Sequence, residues 1–172
     1  MDVVKGPDGI REEDFVELVA QHQTALLRMC YMVLRDRQQA EDAVQETFLK
    51  AYRALDGFRG GSSGKTWLIT IAMNTCRDMR RSAWLRYMDR RVTPEELPEP
   101  VLPPDEDDRE LMARVMQLPP RLREVIVLYY YQDMTMVEIA KALGLAQSTV
   151  TTRLKRAREK LREVLEGEED HD

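Results

Sequence analysis

Hydroxyl and basic side chains recur on one side of a segment near the C-terminal end of the chain. They are Ser148, Thr149, Thr152, Arg153, Lys155 and Arg156. A helix advances by about 100° per residue, which places them away from an apolar stripe, with Arg153 on the flank of that stripe. The stripe, predicted to pack inward, consists of Val150, Leu154, Ala157, Leu161 and Leu165. Short hydroxyls near a helix start suit base edges in a major groove, and long cations suit phosphates, so this helix is predicted to bind duplex DNA. A solvated, charged helix face is the alternative.

A shorter helix is predicted directly before this one. Thr135 and Glu138 have the S/T-x-x-E spacing of a capping box, in which each side chain binds the other residue's backbone N–H. The apolar side of this helix is predicted to consist of Val137, Ile139, Ala140 and Leu143. Gly144 follows where helices end in a left-handed residue, a conformation that glycine adopts without steric cost. Two helices joined by a tight turn, with a basic second helix, indicate a DNA-binding helix-turn-helix.

An earlier helix, AEDAVQETFLKAYRAL, combines an apolar side with an acidic side. The inward residues are predicted to be Ala43, Val44, Thr47, Phe48 and Leu55, and the outer ones Asp42, Gln45, Glu46 and Leu49. A row of carboxylates and amides beside a leucine suits docking to a basic partner. Composition alone equally allows a solvated face.

A loop rich in glycine and serine, GFRGGSSGKTWL, precedes a third predicted helix that Thr66 is expected to cap. Asn74, Arg77 and Arg81 recur on one side of that helix, a pattern that suits a single nucleic-acid strand or a solvated arginine face. The GKT triplet does not complete a phosphate-binding loop, because Arg59 stands where that motif requires its first glycine.

Charge is distributed unevenly along the 172 residues, whose net charge is −5. Residues 94–110 carry −7 and residues 166–172 carry −5, whereas 1–93 carry +2 and 111–165 carry +5. Acidic residues are therefore concentrated in the predicted linker and tail, and basic residues in the predicted folded domains. This distribution is expected of a nucleic-acid-binding protein with acidic linkers. The helical periodicity on both sides of the acidic segment predicts an all-α fold of two small domains.

The two cysteines, Cys30 and Cys76, have no CxxC partner, so neither a disulfide nor a metal site is predicted. The N-terminal segment is polar and interrupted by glycine and proline, and the longest apolar run, 125–131, is too short to span a bilayer. A cytoplasmic protein that is not inserted in a membrane is expected.

Three blocks in this order resemble bacterial RNA polymerase sigma factors of the extracytoplasmic-function group. They are AEDAVQETFLKAYRAL, the FRG…TWLITIAMN segment, and LPPRLREVIVLYYYQDMTMVEIAKALGLAQSTVTTRLKRAREKLR. The resemblance covers residues from about 12 to 165. It implies sigma domain two at 10–92, a flexible, acidic, proline-rich linker at 93–110, sigma domain four at 111–165 and an acidic tail at 166–172.

The resemblance also implies a role for each surface. Asp42, Gln45, Glu46 and Leu49 would bind the clamp of the polymerase's largest subunit. The minus-ten element would be read as melted non-template strand by Arg59, Ser62, Ser63, Lys65, Thr66, Asn74, Arg77 and Arg81. The helix-turn-helix would read the duplex minus-thirty-five element and rest on the flap of the second-largest subunit. The linker would follow the polymerase's RNA path, and an anti-sigma factor is expected as a further partner.

Two positions depart from the family pattern. Gly64 lies where an aromatic residue is usual, which leaves open the loop side chain that frames a flipped base. Thr151 lies where lysine or arginine is common, which implies one phosphate contact fewer.

A helix-turn-helix regulator that binds a palindrome as a dimer is the alternative class. An enzyme is not expected, because no pair of acid, base or nucleophile residues is predicted to come together. No cofactor, metal ion or small-molecule substrate is predicted.

Overall fold

Seven α-helices make up the described part of the chain in the computed structural model, which describes residues 11–58, 63–87 and 106–169. They are Glu12–Leu34 (α1), Arg37–Arg53 (α2), Gly64–Tyr87 (α3), Glu106–Gln117 (α4), Pro120–Ile126 (α5), Met136–Leu143 (α6) and Gln147–Glu169 (α7). A short 3₁₀ turn, Leu55–Gly57, follows α2, and a π-helical turn, Val127–Tyr131, extends α5. The helices group into two compact units, α1 to α3 and α4 to α7. The expectation of an all-α fold with two small helical domains is confirmed.

The first unit is a bundle in which α1, α2 and α3 each contact the other two. Its core is rich in methionine and leucine, including Leu26, Met29, Leu68 and Met73. The helix α2 begins at an Asp36 cap, whose carboxylate accepts a hydrogen bond from the Gln39 backbone N–H at 2.9 Å. Lys50 of α2 donates a hydrogen bond to the Thr75 hydroxyl of α3 at 3.1 Å, so these two helices share a polar contact as well as an apolar one.

The two cysteines lie in the core of the first unit. Cys30 of α1 and Cys76 of α3 are fully buried free thiols, and a hydrogen bond joins them. That hydrogen bond, followed by burial, raises the pKa of Cys30 well above its ordinary value. The Cys30 sulfur is therefore a packing group of the core in its protonated form.

The second unit packs α5 and α6 against α7, and α4 against α5. Pro120 is the first residue of α5, a position where the missing N–H of proline costs no helix hydrogen bond. A buried Arg123 lies at the α4–α5 turn and donates to the carbonyl oxygens of Met116 at 2.7 Å and Leu118 at 3.4 Å. These carbonyls lie at the end of α4 and just after it, so the guanidinium satisfies backbone acceptors that the helix leaves open.

The helix-turn-helix has the predicted local geometry. The Thr135 hydroxyl accepts from the Glu138 N–H at 3.2 Å, and the Glu138 carboxylate accepts from the Thr135 N–H at 2.9 Å. Gly144 ends α6 with a left-handed φ of 65°. The capping box and the glycine turn are both confirmed.

Several predicted boundaries and faces differ from the structure. The helix α3 begins at Gly64, because the Ser63 hydroxyl, one turn before the expected Thr66 cap, accepts the Thr66 N–H at 3.1 Å. The helix α4 begins at Glu106, so the end of the predicted 93–110 linker is helical. The rest of that linker, 93–105, lies outside the described residues.

Two apolar residues are more exposed than predicted. Val137 is 61% exposed, because it lies on the outer side of α6. Leu165 is 46% exposed, because α7 continues to Glu169, beyond the helices that cover its earlier turns. The inward stripe of α7 is therefore correct for Val150, Leu154 and Ala157 and wrong at its C-terminal end.

Candidate nucleic-acid interface

The outer face of α2 carries all four residues of the predicted docking row. Asp42 and Gln45 are exposed, Glu46 is half-buried, and Leu49 is 51% exposed. The Asp42 carboxylate accepts a hydrogen bond from the Gln38 side chain at 3.2 Å, which orients it on the helix surface. Because Ala43, Val44 and Thr47 are buried on the opposite side, the row is held outward by the packing of α2. Phe48 is half-buried, so it faces the core less completely than predicted.

The predicted strand-reading row lies on the polar side of α3. Asn74 and Arg81 are exposed and Arg77 is half-buried. Arg81 lies 3.5 Å from the Asp78 carboxylate in an exposed i, i+3 ion pair, which contributes little to stability at that exposure. At about 100° per residue, Ser63 and Thr66 fall on the same side of the helix start as this row.

Lys65 lies apart from that row. It is nine residues before Asn74, which places it about half a turn away around the helix, toward the side of α3 that packs on α1. Its positive charge acts on the half-buried His22 of α1, where burial and then Lys65 lower the histidine pKa. His22 is thus a residue at the edge of the core of the first unit.

An aromatic pair joins the two ends of the glycine-serine loop. Phe58 is buried before the loop, and its ring centroid lies 4.7 Å from that of Trp67 in the first turn of α3. The predicted loop residues Arg59 and Ser62 lie outside the described residues. Phe58 and Trp67 lie on either side of the loop in sequence, so their ring contact fixes the positions of the two loop ends on the bundle.

In the second unit, α5 and α7 form the walls of a groove of about 580 Å³. Its lining residues are Pro119, Arg121, Leu122, Ser148, Thr149, Thr152, Arg153, Arg156 and Lys160. Four of the nine are cations, three are hydroxyl residues, and no carboxylate is among them. A groove with this lining has a positive potential and presents hydrogen-bonding groups at its α7 wall, which suits a phosphate backbone and base edges.

Five of the six predicted duplex-binding residues line this groove, and Lys155 does not. Lys155 is exposed one residue before Arg156, on the outer flank of α7. Conversely, Arg121 and Lys160 line the groove although they were not predicted to bind DNA. Lys160 is four residues after Arg156 and could have been found from helical spacing, whereas Arg121 comes from α5 and needs the packing of two helices to be recognised.

The two units match family models of two regions of one class of DNA-binding protein. The family model of sigma-70 region 2 matches residues 18–86, and the model of sigma-70 region 4 matches residues 108–161. Among curated relatives, the extracytoplasmic-function sigma factor SigW of Bacillus subtilis is 32% identical over 168 residues and covers 90% of each chain. The RNA polymerase sigma-H factor of Pseudomonas aeruginosa is 33% identical, over 87% of this chain and 84% of its own length. The chain therefore belongs to the extracytoplasmic-function sigma factors of the sigma-70 family.

Solved structures agree with this assignment. CnrH, solved in complex with the cytosolic domain of CnrY, is 30% identical with a TM-score of 0.66 and covers 91% of this chain and 90% of its own. The sigma factor RpoE of Bartonella quintana, solved in complex with the anti-sigma factor NepR, is 25% identical with a TM-score of 0.70, over 90% of this chain and 98% of its own. Among the described helices, none is both long and apolar enough to span a membrane. The family assignment also favours a polymerase subunit over a dimeric helix-turn-helix regulator.

Proposed function

We propose that this sigma factor directs core RNA polymerase to its promoters by reading the minus-thirty-five element as duplex and the minus-ten element as melted non-template strand. It acts in the cytoplasm, performs no chemistry of its own and needs no cofactor. The observation that carries the duplex half of this proposal is the groove between α5 and α7, with its four cations and three hydroxyls.

The groove makes two kinds of contact with duplex DNA in this proposal, one with base edges and one with phosphates. Ser148, Thr149 and Thr152 lie in the first two turns of α7, where a recognition helix meets base edges. Arg121, Arg153, Arg156 and Lys160 lie around them and bind phosphates on either side. Cations from two helices fix the orientation of the duplex better than one helix would, because they hold phosphates that are separated across the groove.

Docking to the polymerase is assigned to the outer face of α2. Asp42 and Glu46 present carboxylates one turn apart, and Leu49 adds an exposed apolar side chain three residues on. Exposed apolar side chains beside charges are typical of interface surfaces, and this face suits a basic helix of the polymerase clamp.

Binding of the melted non-template strand is assigned to the polar side of α3 and the loop before it. Asn74 has an exposed amide that can bind a base edge, and Arg77 and Arg81 follow on the same side. Arg59, Ser62, Ser63, Lys65 and Thr66 are proposed to act near a flipped base, with Lys65 in the least direct position, since it faces α1. The linker is proposed to follow the RNA path of the polymerase.

An anti-sigma factor is proposed as a regulator. The support is that CnrH and RpoE are each solved with a second protein, in the second case a named anti-sigma factor. The proposal includes no small-molecule substrate and no insertion into the membrane.

The test is reconstituted transcription. Purified protein and core polymerase from the same bacterium are expected to yield transcripts from a subset of genomic fragments, with start sites at a fixed distance from two shared sequence elements. Core polymerase alone is the control. A failure to yield any transcript that depends on this chain would refute the proposal.

A further inference from the structure

A cluster of two tyrosines and an arginine joins α7 to the turn that extends α5. The rings of Tyr129 and Tyr130 are 4.9 Å apart and nearly perpendicular. The guanidinium carbon of Arg158, from α7, lies 5.5 Å from the centre of each ring. Arg158 also donates a hydrogen bond from Nε to the Tyr130 hydroxyl at 2.7 Å. Two rings and a hydrogen bond thus hold one side chain of α7, and these three residues are called the Arg158 cluster below.

The π-helical turn brings both tyrosines to Arg158. In a regular α-helix, adjacent residues point about 100° apart, so two consecutive side chains rarely contact the same cation. The wider turn at Val127–Tyr131 inserts an extra residue, and it follows α5 without a break. The two tyrosines therefore belong to the same continuous helix as Arg121 and Leu122, which line the groove.

The Arg158 cluster and the groove lie on opposite flanks of α7. Arg156 and Lys160, which line the groove, are each two residues from Arg158 and therefore about 200° away from it around the helix. The buried Leu154 and Ala157 lie between these two flanks. A duplex in the groove is therefore bound on the side of α7 that faces away from the cluster.

The helix α6 contacts the same flank as the cluster, but nearer the start of α7. The Thr151 hydroxyl donates a hydrogen bond to the sulfur of Met136, the first residue of α6, at 3.4 Å. Arg158 is seven residues after Thr151, which places it on the same flank two turns later and about 10 Å further along the axis. The Arg158 cluster therefore contacts this flank at a level of α7 beyond the Met136 contact.

The rotation of α7 about its axis determines where the groove cations point. A side-chain tip at the helix surface lies roughly 5 to 6 Å from the axis, so a rotation of about 20° moves it by about 2 Å. A charge-assisted hydrogen bond to a phosphate, at about 2.7 to 2.9 Å, is lost on a displacement of that size. The hydrogen bond of Arg158 is directional, unlike the apolar packing of Leu154, and therefore adds a restraint on this rotation.

We propose that the Arg158 cluster fixes the rotation of α7 and thereby positions Arg156 and Lys160 for the phosphates of duplex DNA. The inference rests on the proposed function and adds to it a positioning residue, Arg158, that does not itself contact DNA. Ser148 and Thr149 lie in the first turn of α7, close to the turn from α6, so the cluster acts on the phosphate contacts more than on the base contacts.

The first experiment measures binding of the full-length chain, at several salt concentrations, to a duplex that carries the minus-thirty-five element of a promoter mapped by its transcripts. Arg158→Gln should weaken binding about tenfold and lower the slope of log affinity against log salt by about one, because the groove cations lose their alignment. The matched control, Arg162→Gln, removes an exposed cation of the same helix four residues later. It should change the affinity less than twofold and leave the slope near the wild-type value.

Two further variants separate the geometry of the cluster from its charge. Tyr130→Phe keeps the ring and every charge but removes the hydroxyl that accepts from Arg158 Nε, and it should weaken duplex binding about threefold. Arg158→Lys keeps the charge but not the planar guanidinium, so it should bind the duplex more like Arg158→Gln than like the wild type.

A double-mutant cycle shows whether Arg158 acts through the groove cations. In a chain that already carries Arg156→Ala and Lys160→Ala, measured at low salt, adding Arg158→Gln should change the affinity less than twofold, because the contacts that it positions are already lost. If Arg158→Gln does not fold, as its melting curve would show, the same cycle is run with Tyr130→Phe, which removes a single oxygen atom.

Three results would overturn the inference and leave the proposed function intact. They are an equal loss of duplex binding in both backgrounds of the cycle, identical behaviour of Arg158→Gln and Arg162→Gln, and a loss of core polymerase binding with normal duplex binding. A wild-type chain that did not bind the duplex would instead overturn the proposed function as well.

Discussion

The helices α3 and α7 are nearly equal in length, with 24 and 23 residues, and each is proposed to read one state of DNA. α3 is packed against both other helices of its unit, and its polar row is a strip on one side. α7 is covered only in its earlier turns, and α5 forms a second wall beside it. On the proposed roles, the phosphates of a duplex are bound by cations from two helices, whereas a single strand is bound by one helix face and a loop.

The first prediction tests whether docking belongs to the first unit at all. Asp42→Lys together with Glu46→Lys should weaken core polymerase binding about 100-fold or more, because like charges would then face a basic clamp. Competition with wild-type protein for core enzyme measures this loss. The matched control, Glu13→Lys with Glu17→Lys, reverses two exposed acids of α1 and should bind normally. Equal effects of the two double variants would mean that net charge, rather than this face, is recognised.

The second prediction tests the groove as the duplex site. Arg156→Ala should weaken binding to the minus-thirty-five duplex about tenfold and lower the slope of log affinity against log salt by about one, because one phosphate contact is lost. Titrations at several salt concentrations give both values. Arg162→Ala removes an exposed cation of the same helix outside the groove. It should change the duplex affinity and the salt slope less than Arg156→Ala does. The groove assignment is wrong if the two variants behave alike.

The third prediction separates the two reading helices. Asn74→Ala should reduce open-complex formation roughly fivefold to tenfold, the value of one hydrogen bond to a base, because the amide meets DNA only after melting. A fluorescent probe at the melted region measures open complexes, and a filter or mobility assay measures duplex binding. Comparable losses in the two assays would contradict a role limited to single-stranded DNA.

The fourth and smallest effect concerns pH and should be confined to the first unit. The folded protein lowers the pKa of His22, so as pH falls below about 6.5 the unfolded chain takes up the proton first. Stability should therefore decrease slightly as pH falls from about 6.5 toward the lowered folded pKa, and His22→Gln should remove that part of the decrease. Denaturant unfolding at several pH values measures it. A wild-type curve that matches His22→Gln throughout this range would show that the pKa is not lowered.

Local features of the fold were predictable from sequence, because they depend on residues within one or two turns. The capping box at Thr135 and the left-handed Gly144 are examples, since each needs only its neighbours along the chain. The start of α3 was displaced because Ser63 and Thr66 are both able to cap a helix, and spacing alone does not choose between them. The start of α4 at Glu106 was missed because the acidic residues that resemble a linker also favour the first turn of a helix.

Features that depend on packing were not predictable in the same way. Arg121 lines the groove only because α5 lies beside α7. Lys155 does not line it, because the groove lies on one flank of α7 and Lys155 is on the other. The apolar spacing of Leu165 matches that of Leu154, yet the helices that cover Leu154 do not extend to it. The roles of the docking and reading residues remain predictions, since they depend on contacts with polymerase and DNA.

The hydrogen bond between Lys50 and Thr75 has a consequence for where a promoter opens. It joins the helix proposed to bind the polymerase to the helix proposed to hold the separated strand, within one well-packed bundle. On the proposed roles, the first unit would hold these two surfaces at a constant separation, so that strand separation would start at a set distance from the polymerase at every promoter.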